Sequence, residues 1–242
     1  MYKTVLPNED DSRDKQRQVE DMFNRISQKY DRLNRIITFG MYDQWRKKLA
    51  KLVENQSPTK ILDLATGTAD FAISVSHIPN VKIIGVDISE KMLEVGLSKI
   101  KQASLNNVIE LRLGSAESLD FDNESFDIVM VSFGLRNFQN LEKALTEIFR
   151  VIKKGGYLIT LETSRPKNWF IKPFYIFYTV GIMPLMTKLL FQEKSAYLYL
   201  SKSALLFPSS EQLIGLMKRI GFKSVKHQPQ IFQISSIYVA SK

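Results

Sequence analysis

The segment that most constrains the fold is KILDLATGTAD, residues 60–70, in which a short apolar run ends at a turn of small residues. Ile61, Leu62 and Leu64 are long aliphatic residues, and the turn after them has one glycine and no large side chain. A buried strand that ends in such a turn and leads into a helix is how open α/β sheets form a ligand crevice at their carboxyl edge. The segment therefore predicts an α/β fold with a ligand bound beside the turn.

The next apolar run, VKIIGVD at 81–87, ends in an acidic residue. Asp87 lies about 20 residues after the turn, where a carboxylate at the end of the second strand can bind both ribose hydroxyls of an adenosine ligand. A dinucleotide site carries three glycines as G-x-G-x-x-G, which place a pyrophosphate at a helix N-terminus. Because this turn has Gly67 alone, the sequence favours an adenosine ligand without a pyrophosphate, and S-adenosylmethionine fits.

Asp63 and Gly67 are the first candidate cofactor-binding residues. Asp63 occupies the leading acid of the loose methyltransferase pattern D-x-G-x-G-x-G, while Ala65 and Ala69 occupy its outer glycine positions. The other interpretation of Asp63 is a polar residue at the end of a strand that only ties down the loop.

Apolar segments and helix caps continue the alternation along the chain. Further strands are predicted at 108–113, 126–132 and 157–161, with a final pair at 222–227 and 230–240 joined by a short turn around Pro229. Helix N-caps are predicted at Ser89, Asn140 and Ser209, the last with Gln212 as a capping box, and Gly155-Gly156 and Gly221 are predicted to end the second and third of these helices. This alternation predicts a Rossmann-like, mainly parallel seven-stranded sheet with a C-terminal antiparallel hairpin, as in class I S-adenosylmethionine-dependent methyltransferases.

The length of 242 residues suits one domain. We expect an N-terminal helical cap at 1–55, a cofactor-binding core at 60–161, an apolar insertion at 163–208 and a C-terminal helix and hairpin at 209–242. The most apolar part of the insertion, 173–187, is shorter than the ~20 residues that span a bilayer. We interpret it as helices that line an apolar substrate cavity, with contact to a membrane surface or simple completion of the core as alternatives.

The amino-acid composition and the charge of the chain limit which catalytic groups and binding partners it can have. The chain has no cysteine and two histidines far apart, so we expect no disulfide, no thiolate nucleophile and no metal site. The net charge is +9, and residues 167–242 hold ten basic and two acidic side chains. Such a surface can meet nucleic acid or an anionic membrane, or can consist of scattered solvated lysines. Residues 1–14 lack the features of a signal peptide, which predicts a cytoplasmic protein.

Two polar clusters follow the fourth and fifth predicted strands: SFGLRN, 132–137, and LETSRP, 161–166. Together with KYDRLNRIITFGMYDQWRK, ILDLATGTAD, GVDISEKML and RVIKKGG, they make the sequence resemble the ubiquinone/menaquinone biosynthesis C-methyltransferases over nearly the whole chain. LETSRP and the aromatic segment after it are more similar to the menaquinone branch. The resemblance implies S-adenosylmethionine-dependent C-methylation of a demethylmenaquinol to a menaquinol, with no metal.

The same resemblance implies roles for individual residues. The set implied to contact S-adenosylmethionine is Thr68, Asp87, Ser115, Ala116 and Ser132. Arg136 would hold the negative charge that develops on the naphthoquinol, and Asn137 would position its ring oxygens. Tyr30, Asp31 and Glu162 are candidates for proton relay. A structural salt bridge at the sheet edge is the other interpretation of Arg136.

Other functions stay open at this point. They are C-methylation of the benzoquinol in ubiquinone biosynthesis, an RNA methyltransferase, and a cofactor-binding subunit without catalysis. We expect a polyprenylated naphthoquinol as substrate and no nucleic acid partner, because no RNA-binding module is recognisable. Peripheral attachment to the inner face of the cytoplasmic membrane follows from the basic C-terminal third, and a homodimer is compatible with the sequence.

Overall fold

The computed structural model describes residues 5–166, 168–183, 185 and 194–242, and a seven-stranded sheet lies at its centre. The strand order is β3-β2-β1-β4-β5-β7-β6, in which β1 to β5 are parallel and β7 is antiparallel to both of its neighbours. The predicted sheet and hairpin are confirmed. The strands are β1 Lys60–Leu64, β2 Lys82–Asp87, β3 Ile109–Leu113, β4 Phe126–Ser132, β5 Ile152–Thr163, β6 Ser224–Pro229 and β7 Ser235–Ser241.

Helices cover both faces of the sheet. In β1, Leu62 and Leu64 pack with α6 and α9 on one face, whereas Ile61 packs with α3 and α4 on the other, which follows from the two-residue period of a strand. The helices are α1 Lys15–Ile26, α2 Tyr30–Ile37, α3 Met41–Glu54, α4 Asp70–Val75, α5 Glu90–Gln102, α6 Leu141–Val151, α7 Ile171–Phe177, α8 Lys194–Leu206 and α9 Ser210–Ile220, with a π-helix at Tyr178–Ile182 directly after α7.

The predicted helix caps are confirmed. The Ser89 side chain accepts a hydrogen bond from the Met92 N–H, and the Asn140 side chain accepts one from the Lys143 N–H. Ser209 and Gln212 form the capping box at the start of α9. These caps place the N-termini of α5 and α6 at the carboxyl edge of the sheet, beside the ends of β2 and β4.

Two predicted boundaries are wrong. Helix α6 ends at Val151 and β5 begins at the next residue, so Gly155 and Gly156 lie inside this strand. The pairing of β4 with β5 is irregular between Phe126 and Ile128, and Gly155 accommodates the irregularity with φ +79°. The final hairpin turns at residues 230–234 and not around Pro229, which is still paired with Ser236. Positive φ angles at Phe232 and Gln233 interrupt the extended chain there.

The N-terminal helices pack over the carboxyl edge of the sheet together with α8. Val19 and Met22 of α1, Leu33 of α2 and Tyr199 of α8 share a buried cluster with Met92 of α5. Part of the apolar segment 173–187 lies outside the described residues. Among the residues that are described, no helix is long and apolar enough to cross a membrane.

Candidate functional site

A pocket lies at the carboxyl edge of the sheet, where the loops after β1, β2, β3 and β4 meet beneath α1. The pocket region holds about 660 Å³ of empty space, part of it open to solvent. We call it the edge pocket. Its lining includes Gln16, Val19, Phe23, Tyr30, Gly67, Asp87, Ser115, Ala116, Ser132, Phe133, Asn137 and Gln139.

Asp87 ties the walls of the edge pocket together. Its Oδ2 accepts a hydrogen bond from the Gly67 N–H at 2.8 Å, and its Oδ1 accepts one from the Ser89 N–H at 2.9 Å. Burial raises the pKa of Asp87, and these backbone donors offset part of that rise. The turn after β1 adopts positive φ at Ala65, Gly67 and Ala69, which brings its backbone against the pocket.

Asp63 and Thr68 lie behind the wall of the edge pocket and are not among its lining residues. Asp63 Oδ2 accepts a hydrogen bond from Thr66 Oγ1 at 2.7 Å, and burial raises the pKa of Asp63 to about 7. Thr68 Oγ1 donates to Asp31 Oδ1 at 2.6 Å and accepts from Lys99 Nζ at 2.9 Å. The Asp63 side chain thus binds within the loop after β1, and the Thr68 side chain binds Asp31 of α2 in the N-terminal cap.

The three other predicted cofactor residues line the edge pocket. Ser115 Oγ donates to Gln16 Oε1 on α1 at 3.0 Å, and Ala116 follows it in the same wall. Ser132, the last residue of β4, has a buried hydroxyl that finds no hydrogen-bond partner among the described residues. A buried hydroxyl without a partner is costly, and a ligand atom in this pocket is a natural acceptor or donor for it.

A second cavity lies between α2, α3, α7, the π-helix and α8, and encloses about 1290 Å³ of empty space, part of it open to solvent. Nine aromatic side chains contribute to its wall. We call it the aromatic cavity. Its aromatic residues are Tyr30, Phe39, Tyr42, Trp45, Phe133, Phe174, Tyr175, Tyr178 and Phe232.

Tyr30 and Phe133 separate the edge pocket from the aromatic cavity, since both residues line both spaces. Tyr30 begins α2, and Phe133 directly follows β4 with φ +55°. Burial raises the pKa of the Tyr30 phenol, so this residue is neutral at physiological pH. The two spaces therefore meet at a wall of two aromatic side chains.

Arg136 and Glu162 form a buried ion pair at this junction. Arg136 Nη1 lies 2.7 Å from Glu162 Oε1 and also donates to the Phe133 carbonyl at 2.7 Å. The side chains are 9% and 0% exposed. Burial opposes the charge on Arg136, but Glu162 outweighs it and raises the arginine pKa. Arg136 lines the aromatic cavity, and its Nε–H has no partner among the described residues.

Asn137 stands beside the ion pair and faces the edge pocket. Its Nδ2 donates to the Phe133 carbonyl at 3.2 Å, and its Oδ1 accepts from the Tyr199 hydroxyl at 3.2 Å. The structure thus brings Tyr30, Arg136, Asn137 and Glu162 together. Asp31 points elsewhere, because it pairs with Lys99 and Thr68.

Several residues of the site were missed by reasoning from sequence. Lys15 and Gln16 of α1 contact the loops after β3 and β4, but on an amphipathic helix they look like ordinary surface residues. Gln139 lines the edge pocket, and it gave no signal because it follows the SFGLRN motif outside any recognisable spacing. Tyr42 and Trp45 carried a weak signal, since aromatic residues on a helix before the first strand can pack over the crevice.

Comparisons with known proteins find similar sequences over most of the chain. Residues 11–242 match the model of the ubiE/COQ5 methyltransferase family. The demethylmenaquinone methyltransferase of Porphyromonas gingivalis is 40% identical over 230 residues, 94% of each chain. The ubiquinone/menaquinone biosynthesis C-methyltransferase UbiE of Geobacter sulfurreducens is 36% identical over 231 residues, 95% of this chain and 90% of that protein.

The fold is similar to solved structures as well. A SAM-dependent methyltransferase from Aquifex aeolicus superposes with a TM-score of 0.54 at 16% identity, covering 75% of this chain and 81% of the other. At this identity the likeness concerns the fold alone.

Proposed function

Because the chain belongs to the ubiE/COQ5 methyltransferase family, we propose that it methylates a ring carbon of demethylmenaquinol with S-adenosylmethionine, which gives menaquinol in the last step of menaquinone biosynthesis. One observation carries the proposal: a pocket suited to an adenosine ligand and a large aromatic cavity meet at Tyr30 and Phe133. A methyl donor and a ring acceptor need two adjoining spaces, so that the methyl carbon can touch the ring carbon when both ligands are bound.

The residues of the edge pocket fit S-adenosylmethionine. Asp87 presents a carboxylate whose remaining lone pairs can accept the ribose hydroxyls, and the Gly67 turn lets backbone approach the ligand. Ser115 and Ala116 flank the place for the adenine, and the Ser132 hydroxyl, which has no hydrogen-bond partner among the described residues, belongs to the lining of the same space. Asp63 and Thr68 contribute by holding the loop in shape. When bound, the sulfonium supplies an activated methyl group.

The aromatic cavity suits a naphthoquinol with a polyprenyl tail. Its wall is mostly aromatic and apolar, and Arg136 is the charged residue that lines it among those described. The tail would leave along α7 and the π-helix, where Phe174 is 75% exposed. The ring would lie against Tyr30 and Phe133, next to the methyl donor.

Arg136 would stabilise the naphtholate that forms when a ring hydroxyl loses its proton. The ring carbon then forms a bond to the methyl carbon, and the carbon–sulfur bond breaks with its electron pair on sulfur. The ring carbon next loses its proton and the ring oxygen takes one up, so that menaquinol forms and one proton is released for each methyl group transferred. A guanidinium keeps its own proton, so Arg136 holds the oxyanion and is not the base. Glu162 fixes the guanidinium through Nη1, Asn137 orients a ring oxygen, and Tyr30 and Glu162 relay protons. Alignment and exclusion of water supply the rest of the catalysis.

Benzoquinol methylation is the second candidate, since UbiE of Geobacter sulfurreducens carries both quinones in its name. The aromatic cavity has space for either ring. The two substrates would share the same residues, and only a direct comparison separates them.

The decisive assay uses labelled S-adenosylmethionine with reduced and oxidised demethylmenaquinone, and with the reduced benzoquinone precursor as a third acceptor. We expect label to enter the reduced naphthoquinol. Equal or faster labelling of the benzoquinol would favour the second candidate. Methylation of the oxidised quinone would overturn the naphtholate mechanism, and absence of transfer to any acceptor would overturn the proposed function.

A membrane would deliver such a substrate. Phe39, Phe174 and Phe232 line the aromatic cavity and are each more than half exposed, so the mouth of the cavity presents aromatic rings to its surroundings. Together with the basic C-terminal third, this supports peripheral binding at the cytoplasmic face of an anionic membrane. Sedimentation with anionic vesicles at low salt should bring the protein down, and failure to do so would reject this part of the proposal.

A further inference from the structure

Lys15, the first residue of α1, is a buried lysine that contacts the loop carrying Arg136 and Asn137. The residue is 7% exposed. Its Nζ donates to the Arg136 carbonyl at 2.9 Å and to the Phe138 carbonyl at 2.8 Å. These two carbonyls flank Asn137 in the short 3₁₀ turn Leu135–Asn137. A cation that binds both therefore holds the backbone of the turn in one place.

Helix α1 is at the same time the cover of the edge pocket. Val19 and Phe23 face the pocket from its middle. At its start, Gln16 binds Ser115 Oγ through Oε1 and Gln139 Oε1 through its backbone N–H. Near its end, Asn24 Oδ1 accepts hydrogen bonds from Ser89 Oγ at 2.7 Å and from the Lys91 N–H at 3.1 Å. Both ends of α1 are thus fastened to loops that surround the methyl-donor space.

The buried ammonium group is kept at a cost. Burial lowers the pKa of Lys15 to about 8, Glu117 opposes that fall, and Arg136 adds to it. A neutral side chain would pack here without that penalty. Charge-assisted hydrogen bonds to two carbonyls are stronger and more directional than neutral ones, which suits a group that must hold a backbone in register.

From these contacts we infer that Lys15 is a positioning residue for methyl transfer: it joins α1, the cover of the donor pocket, to the turn that carries Arg136 and Asn137. With α1 held over the donor, the turn keeps Arg136 at the aromatic cavity and Asn137 at the edge pocket. The inference rests on the proposed function for the identity of the two ligands. It predicts that donor and acceptor bind with positive coupling, which is reciprocal between the two sites.

The test compares wild type with Lys15→Met and uses Arg17→Met as the matched control, since Arg17 is an exposed basic residue on the same helix. We expect Lys15→Met to lower kcat about 10- to 100-fold, the effect of losing charge-assisted hydrogen bonds. KM for S-adenosylmethionine should change less than about threefold, because Lys15 does not line the edge pocket. Arg17→Met should behave as wild type.

Coupling between the binding of the two ligands, measured at equilibrium, distinguishes a positioning role for Lys15 from a purely structural one. In wild type, saturating S-adenosylhomocysteine should tighten the binding of demethylmenaquinone, used as a non-reacting acceptor, about 5- to 10-fold. In Lys15→Met this coupling should vanish while each ligand alone still binds. Wild-type kcat, or coupling that survives in Lys15→Met, would overturn the inference. Because no turnover is needed, this result is separate from failure of the proposed function, which absent methyl transfer by wild type would reveal.

Lys15→Arg keeps the test decisive if Lys15→Met does not fold. The charged groups around Lys15 are Glu117 and Arg136, with Glu142 and Arg219 on the adjoining solvent-exposed cavity. A lysine with a pKa of about 8 is charged below that pH and loses its proton as the pH rises through it. Coupling in wild type should therefore weaken above pH 8, whereas in Lys15→Arg it should persist. Coupling with the same pH dependence in both proteins would contradict the role of Lys15.

Discussion

The edge pocket and the aromatic cavity are built from different kinds of sequence. The edge pocket is formed mainly by loops that directly follow parallel strands, and Gly67, Asp87 and Ser132 each lie within one or a few residues of a strand end. The aromatic cavity is formed by helices of the N-terminal cap and of the insertion, which are more than 100 residues apart in the chain. The first pocket therefore follows from the sheet, while the second depends on helices outside the sheet.

This difference suggests a division of labour in which the edge pocket holds the methyl donor and the aromatic cavity chooses the acceptor. Substitutions in one space should then leave binding in the other nearly unchanged. Substitutions at Arg136, Asp63, Asp87 and Phe174 test this separation.

Replacing Arg136 should produce the largest effect. Arg136→Gln alone would leave Glu162 buried and unpaired, which destabilises a protein by about 3–5 kcal/mol. The informative variant is therefore Arg136→Gln with Glu162→Gln, which removes both charges together and leaves no buried charge without a partner. We expect kcat to fall about 1000-fold, as for loss of a group that stabilises an oxyanion. Calorimetry should find S-adenosylmethionine binding within about threefold of wild type. A similar loss in both measurements would break the separation between the two spaces.

Asp63→Asn should change stability without removing the methyl donor. Asp63 has a folded pKa of about 7, above the unfolded value near 3.9, so the folded state binds more protons between these pH values. The contribution of Asp63 is present below pH 4 and lost as the pH rises toward 7. Asparagine mimics the neutral form and does not titrate. Denaturant titrations should find Asp63→Asn more stable relative to wild type at pH 8 than at pH 4, by about 4 kcal/mol.

The same variant decides between the two interpretations of Asp63. If the residue ties the loop through Thr66, S-adenosylmethionine should bind Asp63→Asn within about threefold of wild type. A drop of tenfold or more at pH 7 would instead indicate direct contact with the ligand.

Asp87→Asn should weaken the binding of the methyl donor and leave the binding of the acceptor unchanged. The amide keeps the size of the side chain but loses the charge and one acceptor for the ribose hydroxyls. We expect the Kd for S-adenosylmethionine to rise about 10- to 30-fold, the cost of one charge-assisted hydrogen bond. The KM for demethylmenaquinol, measured at saturating donor, should stay within about twofold, and a larger rise would show that Asp87 acts on the aromatic cavity as well.

Phe174→Ala should have the smallest effect and should depend on the tail of the substrate. Phe174 lines the aromatic cavity near its mouth and is 75% exposed. Loss of its contacts should raise KM about threefold for a long-chain demethylmenaquinol and leave a substrate with a single prenyl unit unchanged. Leu97→Ala is the control, since Leu97 is an exposed apolar residue on α5. An equal effect on short and long substrates would place the tail elsewhere.

The sequence predicted the sheet well because its signals are local. The apolar run of β1, the end of β2 at Asp87, the whole of β4 and the caps Ser89, Asn140 and Ser209 depend on residues within a few positions of one another. Where the signal was ambiguous, the prediction failed. A glycine can end a helix or can accommodate an irregularity in a strand, and the sequence does not distinguish the two. At Gly155 the pairing of β5 with β4 places the residue in the strand.

The site was predictable only in part, for a related reason. Arg136 and Glu162 could be named, but their ion pair depends on the parallel register of β4 and β5, which places Ser132 opposite Leu161. Lys15 could not be named, because its importance arises from a contact across more than 120 residues of chain. Tertiary contacts of this kind leave no mark in local periodicity.

The most direct measurement is a crystal structure of the protein with S-adenosylhomocysteine and a demethylmenaquinol analogue. The account predicts the nucleoside in the edge pocket with its ribose on Asp87, and the naphthoquinol ring in the aromatic cavity with one oxygen within hydrogen-bond distance of Arg136. The sulfur should face the ring carbon at the place where the two spaces adjoin, beside Tyr30 and Phe133. A ring bound outside the aromatic cavity, or a sulfur that faces away from it, would contradict the account.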